Sequence, residues 1–256
     1  MVAVHLNRKE DDILRGYSKL ETPEERMEHK VEGNLICNDF DGLVKEYGDI
    51  LAIIDTGIVQ EATAKIKAIL EPEQINSFLQ ATMKYEDYET YEWHTGLFVT
   101  QLIQNSHDAG NKSFTLNTKT ITKTIHNIGY KLQGRGKNLL ELIVEGDVGW
   151  NCAPKAKNLG QIYITGNVGP LCCLNARSIG KLHIGGDVGD WCGQGAENIK
   201  ELYIGGNARA CCGYEAENST FKTPNRQTLR LLKKNVPKDR NNKIYFINKD
   251  GTEHEF

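Results

Sequence analysis

The sequence predicts an α+β protein. A mostly helical N-terminal domain (1–125) precedes a parallel β-helix of five 20-residue repeats (126–223), and a short helix plus β-hairpin (224–256) forms a C-terminal cap. Three observations predict this. First, Cys152, Cys172, Cys192 and Cys212 recur at one fixed interval, inside blocks that repeat with them. The blocks read GDVGWNCAPKAKNLGQIYIT (146–165), GNVGPLCCLNARSIGKLHIG (166–185), GDVGDWCGQGAENIKELYIG (186–205) and a fading GNARACCGYEAENSTFKTPN (206–225). A weaker copy, HNIGYKLQGRGKNLLELIVE, starts at His126 in the same frame. Second, counting from the first Gly of a block, positions 17 and 19 are apolar in the first four blocks: Leu142 and Val144, Ile162 and Ile164, Leu182 and Ile184, Leu202 and Ile204. Alternation with period two is that of a strand. Third, position 4 is Gly129, Gly149, Gly169 and Gly189, as a tightly approached corner needs. Position 13 is Asn138, Asn158, Ser178, Asn198 and Asn218, short polar residues that tolerate a left-handed backbone. A leucine-rich repeat would need an LxxLxLxxN core, which is missing.

The head is predicted to be helical. Thr22, Pro23 and Glu25 mark a capped helix start, and Pro72 marks another that extends through Phe78 and Met83. Residues 61–70 carry apolar residues at helical spacing. The apolar run 50–54 reads as a buried strand or a short core helix, Gly96 as an interruption, and residues 108–110 as a loop. In the tail, residues 224–235 read as a basic helix, and an Asp-Gly turn at 250–251 joins two short strands.

Charge and composition exclude several classes. Hydrophobic content of 39% and charged content of 25% describe a folded globular chain rather than a disordered one. Charged residues appear almost at once in MVAVHLNRKEDD, so no export signal is expected, and the run at 50–54 is far too short to span a bilayer. Seven Cys without an export signal point to free thiols in a reducing cytoplasm. The net charge of −3 is unevenly spread: residues 1–125 hold 13 basic against 21 acidic side chains, 126–221 hold 9 of each, and 222–256 hold 9 against 4. Nucleic acid is not the expected partner, because phosphate binding needs clustered cations; the basic tail is the one segment that could touch it.

No catalytic residue, cofactor or metal site is predicted. The Cys column resembles a metal site, but zinc held by four thiolates needs sulfurs about 3.8 Å apart around one ion. A straight ladder sets the first and last sulfurs about 14 Å apart. Leu132 falls in the same column in the first block, so a core stack of small apolar side chains is expected, with Cys173 and Cys211 pointing away as exposed thiols. Tyr85, Tyr88 and Tyr91, interleaved with Glu86, Asp87, Glu89 and Glu92 ahead of His94, read as a helix burying its aromatics and wetting its carboxylates. His107 beside Asp108 reads as a turn residue. Asp147 and Asp187 share position 2 two repeats apart, roughly 10 Å, which keeps a carbohydrate-active enzyme as the alternative function.

Position 18 faces outward and reads Ile143, Tyr163, His183 and Tyr203, more aromatic surface than a solvent face needs. It is expected to meet the head or tail, a protein partner or another copy of the chain. The segment GDVGDWCGQG (186–195) resembles the glycine-rich repeat of GXGXG β-helix domains. These occur at the C-terminal end of glutamate synthase large subunits and in one of the subunits of formylmethanofuran dehydrogenase. The resemblance implies a structural and subunit-contact element whose chemistry lies on other domains. The whole chain is also similar to prokaryotic proteins carrying tandem G-[DN]-V-G…C…A-x-N repeats. The function these features predict is a non-catalytic scaffold or subunit-interaction protein of the cytoplasm.

Overall fold

The computed structural model describes residues 40–256, so the helix start expected at Thr22 and Pro23 lies outside the described residues. Helices come first: α1 (Asp41–Leu51), α2 (Thr56–Thr63), α3 (Pro72–Ala81), a 3-10 turn (Thr82–Tyr85) and α4 (Tyr91–Asp108). Strands follow as β1 (Ser113–Asn117), β2 (Leu140–Glu145), β3 (Lys157–Ile164), β4 (Arg177–Ile184), β5 (Glu197–Ile199), β6 (Leu202–Ile204) and β7 (Thr220–Thr223). Helix α5 (Arg226–Asn235), a 3-10 turn (Lys238–Arg240), β8 (Lys243–Ile247) and β9 (Glu253–Glu255) complete the chain.

The fold class differs from the one expected. Among the described residues there is one mixed, mostly parallel sheet of nine strands with five α-helices, an α/β sheet fold and not a β-helix. The sheet order is β1-β2-β3-β4-β6-β7-β8-β9, with β5 also on β4, and only the β8–β9 pair is antiparallel. Outside that sheet the repeats meet through isolated bridges, such as Val148 to Val168 to Val188 to Ala208, and not through further strands. The backbone explains why. Outside the sheet strands each full repeat has left-handed residues at positions 6, 8 and 10, with φ from 51° to 70°, for example Trp191, Cys173 and Asn175. An extended strand cannot pass through three such residues in alternate positions. Hydrogen bonds to neighbouring repeats hold these three: Trp191 N–H donates to Ala210 O (2.9 Å), Cys173 N–H to Cys152 O (2.7 Å) and Asn175 N–H to Gln194 O (2.8 Å).

From β3 through β4 to β6 each step across the sheet joins equivalent positions of successive blocks, and the step to β7 is one residue shorter, with Leu202 on Phe221. The inner row Phe114, Leu142, Ile162, Leu182, Leu202, Phe221, Ile244 runs across seven strands, all at 2% exposure or less. The first block departs from this frame. Glu141 pairs with Gln161, its equivalent in the next block, but Gln133 pairs with Lys157, four positions beyond its own equivalent. Ala153 N–H donates to Ile128 O as Cys173 N–H does to Cys152 O, so Ile128, and not Leu132, precedes Cys152 in the thiol column. Four extra residues are taken up between Gln133 and Glu141, where Arg135 and Asn138 pair with each other.

In the head, Asp55 caps α2 by accepting from Gly57 N–H (2.8 Å) and Ile58 N–H (3.0 Å), and Glu71 with Gln74 forms a capping box ahead of Pro72 in α3. Residues 50–54 are no strand: Ile50 and Leu51 end α1 in the core, and Ile54 is 88% exposed. The helix expected over 61–70 ends at Thr63, where tight bonds from Lys65 N–H to Ala62 O and Ile66 N–H to Thr63 O close it. Gly96 does not interrupt α4; it lies in mid-helix. Tyr47, Phe78 and Phe98 form the aromatic centre, with ring centroids 5.1–5.7 Å apart. Strand β1, which sequence patterning missed, is an edge strand covered by α3: Asn117 N–H donates to Asn76 Oδ1 (2.8 Å) and Gln80 Nε2 to Asn117 O (2.7 Å).

Side chains close both ends of the repeat stack. Along α4, Thr100 Oγ1 accepts from Gly129 N–H (2.8 Å) and Gln104 Oε1 from Gln133 N–H (2.9 Å). At the other end Val188 N–H finds Asn207 O, but Ala208 N–H has no further repeat and donates to Thr228 Oγ1 of α5 (2.8 Å), which in turn donates to Gly206 O (2.9 Å). Replacing Thr228 by Val removes these partners from the buried Ala208 N–H and the half-buried Gly206 carbonyl, so urea unfolding should show a loss of about 1–3 kcal/mol, and Thr228→Ser should restore most of it.

Candidate functional site

The outer column assembles as one row of the sheet: Thr115, Ile143, Tyr163, His183, Tyr203, Lys222, Tyr245. Parallel in-register pairing puts like positions face to face, so the His183 ring stacks between Tyr163 (4.4 Å, 17°) and Tyr203 (4.3 Å, 11°). Ile143 and His183 are buried and the two tyrosines half-buried. Burial pushes the His183 imidazole down to about 4; Lys181 adds to this and Glu201 opposes it. Beside the rings runs an ion-pair row, Lys181 to Glu201 (3.3 Å), Glu201 to Lys222 (3.0 Å) and Lys222 to Glu253 (2.7 Å). Burial works to raise the Glu201 carboxyl, but Lys222 and Lys181 together hold it below the ordinary range.

A second aromatic cluster, which sequence reasoning did not assemble, forms where α4 meets the first turn. His126 lies 4.2 Å from the Trp93 ring, and Trp93 lies 6.4 Å from Trp150. All three tryptophans of the chain are exposed: Trp93 by 39%, Trp150 by 47% and Trp191 by 39%. Trp150 and Trp191 occupy the same turn of their repeats, as the bonds from Asn151 N–H to Pro170 O and Leu171 N–H to Asp190 O show, with half-buried Leu171 in the repeat between them. The signal available in sequence was an aromatic at position 5 or 6, but periodicity alone does not reveal which way a turn residue points.

Several histidines and aspartates of the described residues make structural hydrogen bonds. The His126 Nδ1 accepts from Trp150 N–H (3.0 Å), which puts its proton on Nε2, 3.7 Å from Glu92. Burial lowers its pKa against the opposing pull of Glu92. His94 is buried with Nδ1 on Ile50 O (3.2 Å), and burial lowers its pKa too. His107, expected in a turn, is buried in the last turn of α4, with Nδ1 donating to Asn111 O (2.8 Å) and Nε2 accepting from Arg135 N–H (3.3 Å). Asp147 Oδ1 accepts from Asn167 N–H (2.6 Å) and Asp187 Oδ1 from Asn207 N–H (2.7 Å), rungs of a ladder that Asn167 continues between them.

Cys152, Cys172, Cys192 and Cys212 are free and fully buried. Hydrogen bonding to its neighbours Cys152, Cys173 and Cys192, with burial, pushes the Cys172 thiol well up, while hydrogen bonding with Cys172 and Cys212 pulls the Cys192 thiol well down against its burial. Cys173, expected as an exposed thiol, is fully buried, and Cys211 is half-buried. Among the described residues no group of three or more His, Cys, Asp or Glu is placed to hold a metal ion, and no helix is long and apolar enough to cross a membrane. No protein-family model, no curated protein and no solved structure matches this chain.

Proposed function

We propose that this chain is a non-catalytic scaffold or subunit-interaction protein of the cytoplasm. The observation that carries the reading is the exposure of all three tryptophans, Trp93, Trp150 and Trp191, on backbone that neighbouring segments hold by hydrogen bonds. Large rigid aromatics lose little side-chain freedom on binding and dominate contact energies where they are buried by a partner. The outer column of Ile143, Tyr163, His183 and Tyr203 is the second contact face, for a protein partner or another copy, and it offers less open area because Ile143 and His183 are already buried. The likeness of residues 186–195 to the GXGXG repeat, a subunit-contact element in its own enzymes, agrees with this reading. Asp147 and Asp187, the pair behind the carbohydrate-active alternative, each give one carboxylate oxygen to a backbone N–H of the next repeat.

The test is affinity capture from native lysate with quantification of the co-eluting stoichiometric partner. Wild type should retain one, and the double variant Trp150→Ala, Trp191→Ala should lose at least nine-tenths of it (roughly 1.4 kcal/mol or more) while keeping its circular dichroism and unfolding midpoint. Equal retention by that variant rejects the tryptophan face. The same readout on Tyr163→Ala with Tyr203→Ala decides whether the outer column takes part.

A further inference from the structure

The two ends of the sheet carry opposite charge. Helix α5 exposes Arg226, Arg230, Lys233 and Lys234 at i, i+4, i+7 and i+8, which is one helix face. Lys238 and Arg240 in the next turn are exposed as well. Aromatic rings, and not carboxylates, hold two of these cations: Arg226 lies 5.6 Å from the Phe246 ring centroid and Lys233 4.3 Å from that of Phe256. Among the described residues none of Arg230, Lys233, Lys234 and Lys238 has an ion-pair partner.

The helices of the head are the reverse. Residues 42–110 hold 11 carboxylates against 4 lysines, a net of −7, while 224–256 hold 8 basic against 4 acidic side chains, a net of +4. Asp87 and Glu89, in the turn between the 3-10 segment and α4, are exposed and have no cation partner among the described residues. The two sets cannot meet within one chain. Helix α3 packs on β1 and α5 on β7 and β8, so five strand spacings, roughly 24 Å, lie between them. That is about three screening lengths at physiological salt, where the Debye length is about 8 Å.

We infer that the basic face of α5 docks on the acidic turn around Asp87 and Glu89 of a second copy of this chain, giving head-to-tail association. Charge complementarity selects this occupant. A nucleic acid would meet the same cations, but its unbroken negative charge is repelled by the acidic head, whereas a second copy brings its carboxylate excess at one end only. The contact is heterologous: each pairing leaves one free head and one free tail, so assemblies grow with concentration instead of stopping at a closed dimer. This surface is separate from the tryptophans and the outer column, and its failure leaves the contact reading of those faces untouched.

Sedimentation velocity on the full chain tests it. At low ionic strength the weight-average mass should rise with protein concentration, and in half-molar salt it should return to the monomer. The variant Arg230→Glu, Lys233→Glu, Lys234→Glu and the variant Asp87→Lys, Glu89→Lys should each associate at least tenfold more weakly alone, and association should return when the two are mixed. All five positions are exposed, and circular dichroism checks that both variants fold. A wild type that stays monomeric at low ionic strength overturns the inference, as does association that survives the tail reversal or fails to return on mixing. Binding of a random RNA duplex under conditions where the chain alone is monomeric assigns the α5 face to nucleic acid instead.

Discussion

Between pH 6.5 and 4, the unfolding free energy of the wild type should fall by about 3 kcal/mol more than that of a His183→Phe variant. In the folded chain His183 lies between two tyrosine rings, where burial and the nearby Lys181 disfavour the imidazolium; its pKa is near 4 against an ordinary 6.5. Above pH 6.5 the ring is neutral in both states and contributes no pH dependence. As pH falls through that value the unfolded chain takes up a proton that the folded chain refuses, so stability drops at up to about 1.4 kcal/mol per pH unit, and the loss levels off near the folded pKa. Phenylalanine keeps a flat ring in the stack without a titrating group. His94 and His126, whose pKa values burial also lowers, act in the same sense in both proteins, so the difference isolates His183. Urea unfolding across this pH range gives the number, and an imidazole titration in the folded state gives the pKa. A ring that titrates at its ordinary value, or parallel stability curves, would refute the account.

The second large effect concerns Gly96. A methyl group there would lie 1.7 Å from His126 O and 2.9 Å from its carbonyl carbon, backbone atoms that cannot turn aside. Helix propensity alone makes Gly96→Ala stabilising by about 1 kcal/mol. The tertiary contact reverses the sign: α4 must lift from the first turn, weakening the bonds from His126 N–H to Glu92 O and from Gly129 N–H to Thr100. A net loss of about 3 kcal/mol is expected from overpacking, read as a fall in urea midpoint. Gly42→Ala and Gly48→Ala in α1, where nothing lies within 4 Å, should be neutral or stabilising and serve as controls.

These two positions show where sequence reading succeeds and where it stops. The spacing of Leu182 and Ile184 with their equivalents located the strands, because alternate burial leaves a period-two pattern. Asn158, Ser178, Asn198 and Asn218 do adopt the left-handed backbone that short polar residues favour. The same reasoning could not see Leu171, Trp191 and Cys173 in that conformation, since none has an intrinsic preference for it and only bonds to adjacent repeats hold them there. Gly96 read as a helix breaker because the carbonyl that demands it comes from His126, well downstream of α4 in the chain. The aromatic surface divided in the same way. The row through Tyr163 and His183 follows from register, whereas Trp93 approaches Trp150 only because α4 lies on the first turn.

From the amino-acid order alone came the repeat period, the apolar rows and the opposed charges of head and tail, all of which recur or accumulate along the chain. Only the folded structure decided that the repeats contribute one shared sheet, that the first block is offset within its own length, and that histidines and aspartates serve backbone groups. The reason is physical: periodicity reports which side of an element is buried, while the partner of a given N–H or carbonyl is set by whichever segment arrives beside it, and that segment is remote in the chain.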